Sequence, residues 1–500
     1  MQSLTKGSAA FQDLFADFVQ ARVCGWRWQI GVVTQIPSFL EWSVANMLGR
    51  IRTVVLWILA LLFIFITLNS NEPYLVRLRG TGHGALLIIG LAAPLLLMLG
   101  GRWSRGVGGR VLVLTWCVPL VALTSTQFMF AWRKYETFRT TPDVGRLLGR
   151  HFIVGYAAAE DAAALARQGL IAGVYVTHHN VRGRTEAQLG AEIKRLQSER
   201  QIAGLPPLLV SADQEGGRVA HLSPTLPNMP GLATLADLPA ARRAHDAFEM
   251  GRTQGQALAA AGVTFNLAPV VDLRPRWTRN RLDFHTLIGQ RAISNDPGVV
   301  GDVALSYVRG LEASGVRAAV KHFPGLGRVE ADTHHFSAQL DTPADVLEQS
   351  DWRPFRQVLD NSHAAMMVGH VVVDAIDAER PASHSKAVLD GLIRGRWNYQ
   401  GVIVTDDLVM GAIYGRNLCK AVVEALNGGA DLLLVAYDGT QFHRVFACAK
   451  QALAEGRIDL DALRRSDERL TRWSEPGKSP PSDVSTYFDE PGSARNTIVD

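Results

Sequence analysis

Apolar and polar positions divide the chain into two unlike parts. From about Arg150 onward, short β-branched runs alternate with stretches of helical spacing. The runs are 151–156, 171–177, 207–212, 263–271, 316–322, 364–370, 401–405 and 430–435. Helical spacing recurs between them, as in 186–197, 247–261, 301–313, 346–359, 385–396 and 418–427. Eight alternations of strand and helix predict an α/β fold of the TIM type, a (β/α)8 barrel over 142–473, with its reactive groups at the C-terminal ends of the strands. An open doubly wound sheet is the competing arrangement. It wants a glycine-rich phosphate loop after the first strand, and Gly155-Tyr156-Ala157-Ala158-Ala159 supplies none.

Upstream the pattern is different. Three runs, 53–68, 84–100 and 111–132, contain no Asp, Glu, Lys or Arg. At 16, 17 and 22 residues they approach or reach the roughly 20 residues of helix that cross a bilayer, so 53–132 reads as three transmembrane helices. Trp57, Trp103, Trp116 and Trp132 lie within or beside these runs. Residues 1–52 form a leading segment in which 11–42, with scattered aromatics, suits either a membrane interface or an ordinary soluble helix. The first apolar run begins too far into the chain for a cleaved signal peptide. The last residues, 474–500, are rich in Pro, Ser and Gly and are expected to be a disordered tail.

Charge supports this division. Residues 1–141 carry thirteen Lys and Arg against five Asp and Glu, so the remainder is net acidic within a chain of net charge +4. A basic part that is also the apolar part points to lipid rather than nucleic acid. Basic residues on the two sides of a three-span arrangement number five against four. The balance leans to an inner-membrane, multi-pass protein with its catalytic domain on the outer, periplasmic face. Four cysteines, Cys24, Cys117, Cys419 and Cys448, lie far apart without a C-x-x-C pair. Their spacing argues against a zinc site and against a disulfide framework.

The expected strand ends carry the chemistry. After the third comes Asp213, at the fifth Lys321 and His322, at the sixth His370, and after the seventh Asp406 and Asp407. Downstream of the fifth, Asp332 and His334 lie two apart, a spacing at which a carboxylate can orient an imidazole for proton transfer. Such groups suit a retaining glycosidase, with Asp406 as nucleophile and His334, supported by Asp332, as acid/base. Asp213, Arg291, Lys321 and His322 would clamp sugar hydroxyls and an acyl group. Taken alone, these residues leave several hydrolase classes open. Neighbouring histidines in a strand face opposite ways, so His178-His179 does not chelate one ion and no metal site is expected.

The ordered motifs DQEGGRV (213–219), NLAPVVDL (266–273), IGQRAIS (288–294), KHFPGLG (321–327), DTHH (332–335), GHVVVDAID (369–377), PASHS (381–385) and GVIVTDDLVMGAI (401–413) resemble glycoside hydrolase family 3. They resemble in particular its single-domain bacterial β-N-acetylglucosaminidases acting on peptidoglycan fragments. The resemblance implies a barrel fold and no cofactor. It also implies a β-N-acetylglucosaminide or muropeptide-like glycan as substrate and a monomeric catalytic domain. By it, Asp406 forms the covalent glycosyl intermediate, His334 is the acid/base and Asp332 its partner. Asp213, Arg291, Lys321 and His322 are then the residues that bind N-acetylglucosamine; His221, from its place after DQEGGRV, and His370, from its strand end, are expected to bind substrate as well. The chain departs from the pattern at Leu326, where relatives more often carry a second histidine, at His221, where many carry arginine, and in its three apolar runs. Phosphorolysis and a catalytically inactive, membrane-tethered glycan-binding module remain the alternatives.

Overall fold

A computed structural model describes residues 36–275, 286–333, 335–414 and 417–474. Eight strands form in the expected order: β1 (Phe152–Gly155), β2 (Gly173–Tyr175), β3 (Leu209–Ala212), β4 (Phe265–Asn266), β5 (Arg317–Phe323), β6 (Ala365–Val368), β7 (Ile403–Asp407) and β8 (Leu432–Val435). Each pairs in parallel with its sequence neighbour and β8 closes on β1, giving a closed parallel barrel. Both faces of these strands are buried, which is why they read as nearly continuous apolar runs. Ile153, Tyr175, Phe265, Ala319, Met367, Val404 and Leu434 fill the interior, while Phe152, Val174, Val320, Met366, Ile403 and Leu433 pack outward under the helices. At the bottom, helix Leu460–Ser474 brings Leu470 and Trp473 into the interior cluster. Trp473 meets Phe265 edge-on with centroids 5.0 Å apart, and its ring also receives the Arg317 guanidinium.

Several elements had no counterpart in the pattern. A short hairpin, Gln214–Gly216 with Val219–Ala220, follows β3. A three-stranded sheet of Ala338–Leu340, Val371–Val373 and Asp377–Pro381 sits beside the barrel. The helical stretch expected over 346–359 is two helices, Ala344–Gln349 and Arg353–Leu359. The second begins beside Pro354, which has no amide to donate into a continuous helix. The cysteine reading is also corrected: Cys419 and Cys448 form a disulfide between helices Leu418–Gly428 and Phe442–Ala454. Their separation of 29 residues spans one helix–strand–helix repeat, which the barrel folds back so that successive helices lie side by side.

Ahead of the barrel lie α1 (Ile36–Leu68), α2 (Thr81–Leu99) and α3 (Val107–Phe138). Within them Asn46–Leu68, Thr81–Leu99 and Val107–Phe138 are long and apolar enough to cross a membrane. The chain divides into two compact units, one of residues up to 68 with 85–123, the other of 69–84 with 124 onward. In the first, Ala60, Phe63, Leu86, Leu112, Trp116 and Leu123 form a small core, and Arg102 donates to Thr53 Oγ1 at 3.0 Å. Leu61, Phe65, Ile88, Leu96 and Val121 are among its many exposed large apolar side chains, the inverse of a soluble surface. The expected interfacial segment 11–42 lies largely, and the tail 474–500 almost entirely, outside the described residues.

Candidate active site

Strand alternation explains how charged residues reach the barrel mouth. Val402 and Val404 point into the interior, and Asp406 follows two further along, near the C-terminal end of β7. Ala319 leads in the same way to Lys321. The β5–β6 register shifts between Val320 and Phe323, and the β7–β8 register between Val404 and Asp407. Such irregularities re-aim side chains, and both fall at the residues that carry charge.

Four of these charges form one buried cluster. Lys321 Nζ bonds to an Asp213 oxygen and lies 2.7 Å from Glu215 Oε1. Arg291 grips Glu215 with two prongs, Nη2 to Oε1 at 2.6 Å and Nε to Oε2 at 3.0 Å. The two cations therefore offset the two carboxylates. Burial pushes the Asp213 and Glu215 carboxyls up, but Lys321 and Arg291 outweigh it and hold both below the ordinary carboxylate range. Burial likewise lowers Lys321, and the facing carboxylates more than restore it. Tyr175 donates to Asp213 Oδ2 at 2.5 Å and its hydroxyl lies 3.0 Å from His221 Nδ1, placing His221 at the edge of the cluster. His322 approaches Arg291 through Nε2 at 3.3 Å, while its Nδ1 meets Asp272 Oδ2 at 2.7 Å.

Asp406 accepts the Asp407 amide at 2.8 Å. Asp407 itself is buried and receives amides from Val409 at 3.0 Å, Ala436 at 3.1 Å and Tyr437 at 2.7 Å. Burial raises its carboxyl to about 6 against the pull of those three donors, with Asp406 adding to the rise. His370, expected from sequence among the substrate-binding residues, lies against the end of β7. Its Nδ1 lies 2.7 Å from Ser383 Oγ and its Nε2 2.9 Å from the Asp407 carbonyl, so the ring braces the end of β7. Asp332 is fully buried and accepts Thr286 Oγ1 at 2.8 Å, and Arg291 donates to the Thr286 carbonyl at 2.8 Å. The Ala412 amide approaches the Thr333 carbonyl, which brings the Asp332 segment beside the turn that follows Asp406. His334 lies outside the described residues. Among those described, no group of three or more His, Cys, Asp or Glu side chains is placed to hold a metal ion.

The structure adds Glu215, Asp272, Tyr175 and Thr286 to the residues expected from sequence. Glu215 carried a usable signal, since it lies two residues from Asp213 in an extended segment and so shares its face. Asp272 carried less, because its partners, the His322 ring and amide and the Leu326 amide, are joined to it only by the fold.

Residues 132–473 match the glycosyl hydrolase family 3 N-terminal domain. A β-hexosaminidase from Nitrosospira multiformis is 34% identical over 279 residues, which are 55% of this chain and 75% of the relative. A family 3 β-N-acetylglucosaminidase from Paenibacillus sp. superposes with a TM-score of 0.60 at 29% identity, over 71% of this chain and 66% of that one. A family 3 glycosyl hydrolase from Mycobacterium smegmatis gives 0.59 at 31% identity, over 68% of this chain and 99% of that one. With its closed barrel and charged mouth, the chain belongs to glycosyl hydrolase family 3 and is a glycosidase.

Proposed function

We propose that the protein is a retaining β-N-acetylglucosaminidase that removes terminal β-linked N-acetylglucosamine from glycans, peptidoglycan fragments among them. The observation that carries this reading is that Asp406 lies near the C-terminal end of β7, the same end of the barrel at which β3 and β5 deliver Asp213 and Lys321 to the buried charge cluster. In the first step an Asp406 oxygen bonds to the anomeric carbon as the glycosidic bond breaks, and the leaving oxygen takes a proton from His334. In the second, His334 accepts a proton from water, whose oxygen displaces Asp406 and restores the β configuration. Asp332, buried and held by Thr286, keeps His334 basic and oriented. Asp213, Lys321, Arg291 and His322 bind the sugar and its acetamide, with Glu215 and Asp272 fixing the cations and the imidazole in place.

The three apolar helices anchor this domain in the membrane as a multi-pass protein. The Cys419–Cys448 disulfide supports a catalytic domain on the oxidising, outer face, where cell-wall glycan lies. The test is release of 4-nitrophenol from its β-N-acetylglucosaminide by the detergent-solubilised full-length protein. Turnover by the parent, none by Asp406→Ala, and an initial β-anomeric product by NMR are expected. An initial α-product, or sugar 1-phosphate in phosphate buffer, would replace retaining hydrolysis with another reaction. Equal activity of Asp406→Ala would remove the nucleophile.

A further inference from the structure

Residues 69–84, which follow α1 and include the first turn of α2, belong to the same compact unit as the barrel. Their contact is a buried polar knot. Arg79 donates through Nη1 to Asp438 Oδ1 and through Nη2 to Asp438 Oδ2, both at 2.6 Å, and the Asp438 side chain is only 2% exposed. The same guanidinium reaches Thr440 Oγ1 and the Asn71 carbonyl. Gln441 donates to that carbonyl at 2.6 Å and to Asp438 Oδ2 at 3.0 Å. Asn71 donates in turn to the Thr126 carbonyl at 2.9 Å and accepts Gln127 Nε2 at 3.0 Å. Three pieces of chain therefore meet here: residues 69–84, the C-terminal half of α3, and the connection leaving β8.

That connection holds part of the site. Its first two amides, Ala436 and Tyr437, donate to Asp407, whose own amide bonds Asp406. Its path is tightly confined, because a Cβ on Gly439 would lie 1.6 Å from the Gly155 carbonyl oxygen at the end of β1. The connection is thus pressed onto β1, fastened at its start to Asp407 and at Asp438 to Arg79. A two-pronged arginine–carboxylate pair out of water fixes orientation as well as distance.

We propose that Arg79 is a positioning residue for the reaction. By anchoring the β8 connection through Asp438, it holds the Ala436 and Tyr437 amides on Asp407, and through Asp407 it sets the side chain of Asp406. The inference rests on the reading of Asp406 as nucleophile. It makes the loop between the first two apolar helices part of the catalytic unit rather than a linker.

The experiment compares Arg79→Gln, Arg79→Lys, Asp438→Asn and the Arg79→Gln/Asp438→Asn pair in the full-length protein in detergent, on the 4-nitrophenyl β-N-acetylglucosaminide. Lys134→Ala is the control. Its exposed pair with Asp161 fastens α3 to helix Ala159–Arg167 without touching the connection. We expect Arg79→Gln to lower kcat at least tenfold with KM within twofold, and Arg79→Lys to recover part of the loss. The double variant should be no slower than the worse single, and Lys134→Ala should match the parent. Folded Arg79→Gln with a lower Tm but the parent's kcat would overturn the proposal and leave Arg79 a mere tether. If Arg79→Gln does not accumulate, Arg79→Lys and Asp438→Asn are read by the same criteria. Asp406→Ala, assayed alongside, separates the two claims: full activity there sinks the nucleophile assignment, whereas an inactive Asp406→Ala beside a fully active Arg79→Gln sinks this inference alone.

Discussion

Glu215→Gln puts a number on the charge balance at the barrel mouth. The substitution keeps the side chain's shape but removes the carboxylate that faces both Arg291 and Lys321, leaving two buried cations against Asp213 alone. Leaving one partner of a buried pair uncompensated costs about 3–5 kcal/mol. An upper bound follows from Lys321 itself. Rather than bear a larger penalty, it can shed its proton, and at pH 7 that costs no more than about 4.6 kcal/mol from the ordinary lysine value. At about 2–4 °C per kcal/mol for domains of 150–250 residues, Tm should fall by roughly 6–18 °C, read by tryptophan fluorescence in detergent. The pH dependence has a definite sign. In the parent, the facing carboxylates raise Lys321, so its contribution persists until pH climbs through that raised value. In the variant the folded lysine sits below its unfolded value, so between the two the unfolded chain binds more protons and stability rises with pH. The gap between variant and parent should therefore narrow from pH 7 toward 10, at up to about 1.4 kcal/mol per unit. A Tm within 1 °C of the parent, with parallel pH profiles, would refute the view that Glu215 neutralises the buried cations.

Other substitutions probe different parts of the structure. Asp272→Ala removes the acceptor of the His322 ring and of the His322 and Leu326 amides; at about 1.5–3 kcal/mol for a bond to a charged group, kcat/KM should fall roughly 10- to 150-fold, and an unchanged value would show that His322 needs no such support. Trp352→Ala empties a fully buried site among Phe323, Phe355 and Trp397 and should cost about 3–5 kcal/mol in urea unfolding; a loss under 1 kcal/mol would mean the site collapses around the gap. Reduction of Cys419–Cys448, or Cys419→Ser, should lower stability by up to about 3.6 kcal/mol on the chain-entropy account of a loop this long, and identical melts with and without reductant would count against the bond.

The barrel was legible because parallel strands buried on both faces leave a mark that composition alone carries. All eight apolar runs became strands, although the pattern overstated the length of most, since residues such as Leu267 continue the buried row beyond the end of β4. The hairpin at 214–220 and the small sheet around 371–373 left no such mark. Their strands are two to five residues long, too short for an alternating pattern to stand out. The disulfide was hidden for a related reason: its spacing has meaning only once the repeat that separates the two cysteines is known to fold back on itself.

The site was legible to the extent that function sits at strand ends. Asp213, Lys321 and Asp406 could be placed because a barrel puts the ends of its inward rows on one face. The residues that hold them could not, since Asp272 and Asp438 act across the fold on partners far away in sequence. These supporting groups bear on catalysis as directly as the strand ends do. A sugar hydroxyl is a weak ligand, and a cation free to swing toward it would spend binding energy on its own ordering. Lys321 and Arg291 are instead each fixed against Glu215, and His322 against Asp272, before any substrate arrives. Because the four-charge cluster is neutral as a whole, in the proposed mechanism it orients the sugar without opposing the positive charge that develops at the anomeric carbon. In the proposed mechanism, stabilising that charge is left to Asp406 near the C-terminal end of β7.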